Sequence, residues 1–185
     1  MAILLLSCGP APQSSAHPPG TDISATLPLS QVFILEAAGA MPDDTSLSVA
    51  SGQRRVVVLR RSAPDFGLFA TLEFGDSSLR SPRGSDSARV MIHSLPGEYA
   101  IDLEVAGTIG NGASVVFSYG SHFVAPAGAR QRYGSDLHFE RELRVGRLED
   151  GNQVRLLPTW RPGTDMVGAE LVGPGPGRYL VVAPR

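Results

Sequence analysis

Glycine and proline together fill 36 positions of this 185-residue chain, about a fifth, against roughly 12% in an average domain. Breakers that frequent leave little room for long helices and favour short strands joined by turns. Runs rich in β-branched and aromatic residues lie between the breakers, at 31–37, 45–51, 54–61, 67–74, 88–94, 98–106, 113–119, 137–145, 153–157, 166–172 and 178–183. In 98–106, Tyr99, Ile101, Leu103 and Val105 share one face, while Glu98, Asp102 and Glu104 share the other. That period of two marks a half-buried strand. In 54–61, Arg54 and Arg60 point one way and Arg55 and Arg61 the other, around the apolar run VVVL. Segment 136–150 also alternates, with Leu137, Phe139, Leu143 and Val145 on one side. Glu140 and Arg144 would equally make a helical i,i+4 pair; the alternation favours a strand. The expected class is all-β, an immunoglobulin-like β-sandwich.

Charge and cysteine narrow the chemistry. The net charge is −2 and the pI about 6.1, so no bulk attraction draws the chain to nucleic acid. All sixteen basic residues are arginine, which removes Schiff-base chemistry and a phosphate-loop lysine. Cys8 is the sole cysteine, so neither an internal disulfide nor a cysteine metal site can form. Asp136 and His138 lie two apart but show no metal-ligand spacing, and no metal or cofactor is expected.

The chain begins MAILLLSCGP. Leu5-Leu6-Ser7-Cys8 resembles the lipobox of bacterial lipoproteins, in which the cysteine thiolate takes a diacylglyceryl group. The resemblance implies lipidation at Cys8 and attachment to a membrane. Gly9 stands where an aspartate retains many such proteins at the inner membrane, so the implied address is the outer membrane, facing the periplasm or the surface. Residues 1–8 read as a truncated signal whose start lies upstream, because no basic residue precedes Cys8. Residues 9–30, rich in Pro, Ser, Gly and Ala, read as a flexible tether.

LEFGDSSL (72–79) places Gly-Asp-Ser after a strand, a position used for the nucleophile in one class of lipases and esterases. Ser77 would then need a histidine and a carboxylate. None of His17, His93, His122 and His138 is preceded by Asp at the third position, so a hydrolase is the lesser alternative. The same stretch serves a second pattern. Phe74-Gly75-Asp76, then His93, then Pro96-Gly97 and Tyr99, then Ile101, Leu103 and Val105 resemble a polycystic-kidney-disease-type (PKD) repeat over residues 46–107. That family implies an immunoglobulin-like, extracellular or periplasmic module for protein or glycan contact, without catalysis of its own.

Pro-Gly-x-Tyr recurs before Tyr179, 80 residues after Tyr99. The echo suggests two small tandem modules, 31–107 and 108–185, although one larger sandwich would also fit. A tyrosine at a strand start often fastens a sandwich corner through its hydroxyl. Trp160, with Tyr133, is a candidate platform for stacking a sugar. The expected function is therefore non-enzymatic: a cell-envelope lipoprotein that binds an envelope protein or glycan, or acts as a scaffold.

Overall fold

A computed structural model describes residues 25–171 and 177–185. Its strands, in chain order, are β1 (Thr26–Pro28), β2 (Val32–Ile34), β3 (Glu36–Ala37), β4 (Thr45–Ala50), β5 (Arg55–Arg60), β6 (Leu68–Phe74), β7 (Leu79–Arg80), β8 (Ser87–Ser94) and β9 (Ala100–Ala106). There follow β10 (Thr108–Ile109), β11 (Ala113–Ser118), β12 (Phe123–Val124), β13 (Arg144–Glu149), β14 (Gln153–Leu156), β15 (Thr159–Trp160), β16 (Met166–Glu170) and β17 (Gly177–Pro184). Two short helices, α1 (Ala129–Tyr133) and α2 (Asp136–Arg141), precede β13.

Two antiparallel sheets form a β-sandwich. Sheet 1 has the order β1-β14-β13-β17-β9-β8-β4, with β2 also on β17. Sheet 2 has the order β15-β16-β11-β6-β5. The inward residues of both sheets make one core. Ile92, Leu103 and Val181 of sheet 1 and Leu72, Val115 and Val167 of sheet 2 belong to a single buried cluster. The expected alternation of β9 holds: Ile101, Leu103 and Val105 are buried, while Asp102 and Glu104 are not.

The pairing does not divide the chain at 107/108. β17 runs beside β9, with Tyr179 opposite Ile101, and β11 runs beside β6, with Val115 opposite Leu72. Each sheet thus contains a block of strands from the second half hydrogen-bonded to strands of the first, giving one shared sandwich rather than tandem modules. The physical reason is backbone pairing: β9 and β6 each take their second ladder partner, β17 and β11, from the second half.

Two other expectations change. Residues 137–145 are not one strand; they split into α2 and the start of β13. The Ser135 side chain accepts a bond from the His138 N–H and caps α2, which begins with Asp136. An N-cap serine and an acidic first turn both favour the helix over the strand alternation. The segment expected as tether ends earlier than residue 30, because β1 pairs with β14. Ala25, Leu27 and Leu29 recur at spacing two and pack on Leu156, Val182 and their neighbours, a second cluster. Cys8 and residues 9–24 lie outside the described residues.

Candidate binding surface

β5 is the last strand of sheet 2, and β6 is its only partner among the described residues. One row of backbone donors and acceptors on β5 therefore has no ladder to join. The alternation of β5 is unusual for an edge. Val57 and Leu59 point into the core and are buried. Val56 and Val58 point outward and are 47% and 48% exposed. Phe66, in the loop that follows, is 61% exposed. These three are among only five large apolar side chains exposed in the described residues, the others being Val124 and Leu137. Exposed apolar residues scattered singly would carry no meaning; here two adjoin on one strand face and a third lies in the same hairpin.

Arginine brackets the patch. Arg54 and Arg60 share the outward face with Val56 and Val58, as the sequence period predicts. Arg54 lies 2.7 Å from Glu73, and Arg60 reaches the Phe66 carbonyl at 3.4 Å. Arg55 is exposed on the other side of the strand.

The outward face of sheet 2 extends the patch. Register places Val58 opposite Thr71, Thr71 opposite Val116, Val116 opposite Gly168, and Gly168 opposite Trp160. Five strands at about 4.8 Å each make this row roughly 19 Å long. The Trp160 indole lies over Gly168. A Cβ there would come within 2.9 Å of Trp160 Cε2 and 3.0 Å of Val116 Cγ2, so the missing side chain makes room for the ring.

The loop holding Phe66 is pinned by Arg61, the residue that follows β5. Residues 57, 59 and 61 share the inward face, so Arg61 enters the core, where it is 1% exposed. Its Nη1 donates to the carbonyls of Ala38 (2.7 Å) and Ala40 (3.0 Å), and its Nη2 donates to the Tyr99 hydroxyl (2.7 Å). The guanidinium carbon also stands 5.5 Å from the Phe69 ring and 5.4 Å from the Tyr99 ring, close enough for cation–π attraction. Asp65 bridges outward, with Oδ2 3.7 Å from Arg61 Nε and 2.6 Å from His122 Nε2. Phe66 follows Asp65 directly, with φ of 55°. That left-handed conformation is costly for an aromatic residue and persists only where neighbours impose it. Asp65 on one side and the Arg61 N–H bond to the Gly67 carbonyl (2.9 Å) on the other do so.

From Tyr99 the polar chain continues across the core toward the far surface. The Tyr99 hydroxyl donates to the Tyr119 carbonyl at 3.3 Å, so this tyrosine does fasten a strand start to the opposite sheet. Tyr119 in turn accepts from Arg161 (2.8 Å) and donates to Glu140 (3.2 Å). Burial pushes the Tyr119 pKa up to about 12, against the opposing pull of Arg161. Burial likewise raises that of Tyr99, with Arg61 opposing. Both phenols are therefore neutral hydrogen-bonding groups at neutral pH.

The other singled-out residues fall in separate places. Tyr133 packs edge-on against Phe33 and beside Phe139, and its hydroxyl bonds the Pro184 carbonyl. Trp160 lies on β15 of sheet 2 instead, whereas Tyr133 belongs to α1. Ser77 sits exposed in the turn after β6. It is Ser78, fully buried, that closes this turn by donating to the Gly75 carbonyl at 2.9 Å. The described histidines engage Asp44 (His93), Asp65 (His122) and the Tyr133 carbonyl (His138). Asp136 is held by Arg130 at 2.9 Å. The Tyr179 hydroxyl, the counterpart of Tyr99 in the sequence echo, is buried without a hydrogen-bond partner.

Elsewhere, an open groove of about 720 Å³ runs along Phe33, Glu36, Glu98 and Arg185. Its one cation is engaged, because Arg185 bonds the Val32 carbonyl and lies over the Phe33 ring. Among the described residues no helix is long and apolar enough to cross a membrane. No family model, no curated protein and no solved structure matches this chain.

Proposed function

We propose that the chain is a non-enzymatic binding module of the cell envelope, anchored through lipidated Cys8, with the β5 margin of sheet 2 as its binding surface. One observation carries the binding role. Val56 and Val58 are exposed on a free sheet edge, Phe66 is exposed in the loop that follows, and a buried arginine network holds that loop in place. Holding an apolar patch rigid at the surface loses solvation without gaining packing, unless a partner covers it. The address rests on the lipobox-like Leu5-Leu6-Ser7-Cys8 and on the PKD-like run from Phe74 to Val105.

The test uses the gene with its natural start, expressed in its own envelope. Radiolabelled palmitate should enter the protein and be lost in Cys8→Ala. A photo-crosslinking residue at Val58 should give a discrete adduct, whereas one at Leu137, equally exposed on α2, should give none. Unlabelled protein overturns the anchor. Indistinguishable behaviour at the two positions overturns the binding surface.

Trp160 supports a second reading, a glycan module. Its indole lies over Gly168 in the outward face of sheet 2, and an aromatic ring carried on a sheet face is the kind of group on which a sugar stacks. Oligosaccharide titration with the tryptophan fluorescence as readout separates the two: a saturable change lost in Trp160→Ala favours the glycan.

A further inference from the structure

The β5 edge offers three things at once: free backbone hydrogen-bonding groups, two outward valines, and an arginine beyond each valine. We infer that β5 receives an extended acidic segment of a partner polypeptide as an added strand, an inference that rests on the binding surface proposed above.

The outward face fixes the pattern of the segment. From the residue before β5 to its end it reads Arg54, Val56, Val58, Arg60, at spacing two. An added strand places its own alternate residues opposite these. The complementary segment is therefore acidic-x-apolar-x-apolar-x-acidic. Because the β5 pattern is the same read from either end, the motif holds for a parallel or an antiparallel addition. Main-chain bonds supply affinity in such strand additions, and the alternate side chains supply choice of partner. Phe66, beyond Arg60 at the end of the hairpin, offers a further apolar contact just past the acidic terminus of the motif.

Charge decides against the other obvious occupant, a second copy of this chain. Twofold antiparallel pairing centred on Val57 would set Arg54 of each copy opposite Arg60 of the other. Like charges directly opposite destabilise a ladder. The same arginines that guard the edge against self-pairing select an acidic strand, so repulsion and attraction come from one pair of residues. Glu73, at 2.7 Å from Arg54, already shows that this arginine takes a carboxylate on the outward face.

The experiment uses the folded protein and three short synthetic peptides. The first carries the acidic-x-apolar-x-apolar-x-acidic pattern with threonine at the intervening positions. The second replaces both acids with lysine. The third keeps the composition of the first but breaks the alternation. Binding is followed by nuclear magnetic resonance titration up to about 1 mM peptide, where even weak complexes register. The first peptide should bind, with shifts centred on β5, and the other two at least roughly tenfold more weakly. In Arg54→Glu with Arg60→Glu the order of the first two should invert. A variant that merely misfolds cannot produce that inversion.

Equal binding of the acidic and lysine peptides would overturn the inference, and so would shifts centred away from β5. No peptide binding, with a Val58 crosslink still formed in the envelope, would overturn the acidic strand while leaving the binding surface standing. Loss of both would overturn the two together.

Discussion

β4 and β5 are both six-residue edge strands. They are joined by the turn 51–54, and one closes sheet 1 while the other closes sheet 2. They treat the same problem differently. β4 turns Ser46 and Ser48 to solvent, with Arg89 of its neighbour reaching Ser46 at 3.3 Å. β5 turns Val56 and Val58 to solvent between arginines. A polar edge needs nothing to cover it. An apolar edge is a hazard unless charges limit what can join it. The contrast shows that the exposure on β5 is not a general feature of this sandwich. It is local to one hairpin, and the buried Arg61 network stiffens the end of that hairpin.

Removing the network should have the largest effect. Arg61→Leu leaves the Ala38 and Ala40 carbonyls and the Tyr99 hydroxyl without their donor. Breaking a buried charge cluster from one side costs about 3 kcal/mol, readable as a lowered urea midpoint. The loop holding Phe66 should loosen while β4 keeps its amide protection. Equal loosening of both edges would break the comparison.

Making β5 resemble β4 comes next. Val56→Thr with Val58→Thr alters only exposed positions, so stability should stay within about 0.5 kcal/mol. Affinity for the acidic peptide should nevertheless fall roughly fivefold, since about 1 kcal/mol of apolar contact is lost at the edge. The reverse exchange sharpens the role of the arginines. Ser46→Val with Ser48→Val gives β4 an apolar edge without an arginine beyond each valine. Sedimentation should then show more self-association in this variant than in the native protein. A monodisperse variant would show that the β5 arginines are not what prevents pairing.

The smallest effect is a pH dependence on the β4 side. His93 of β8 lies 2.9 Å from Asp44, just before β4. The hydrogen bond to Asp44 raises the His93 pKa above its usual 6.5, against a small opposing effect of burial. Because the native state favours the protonated form, the stabilisation is fully present below that usual value. It disappears as the pH rises through the raised pKa. Thermal unfolding of the native protein and His93→Ala should therefore differ slightly at pH 5.5 and converge by pH 8. A difference that grows with pH would reverse the assignment.

Local patterns in the sequence made part of this legible. The alternation of 54–61 placed Arg54 with Arg60 and Arg55 with Arg61, and that of 98–106 named the inward face of β9. What it could not say is which face of VVVL is buried, since a continuous apolar run carries no phase. Arg61 was concealed for the same reason: only once Val57 and Leu59 are known to point inward does residue 61 follow them. The tandem-module expectation failed because the pairing of β17 with β9 joins residues 76 positions apart, such as Asp102 and Arg178, beyond any local period. The helix at 136–141 was hidden behind an alternation that favours a strand, and the Ser135 cap decided against it. Tyr99 and Tyr179 look alike in sequence, yet only the first finds a carbonyl for its hydroxyl, because that depends on what the opposite sheet brings near.

The most direct test of the contrast is amide hydrogen exchange of β4 and β5 measured together, with and without the acidic-x-apolar-x-apolar-x-acidic peptide. An added strand must protect β5 amides that β6 does not already bond, and leave β4 unchanged. Slowed exchange confined to β5 is the predicted result. Unchanged exchange in both strands, or equal slowing in both, would contradict it.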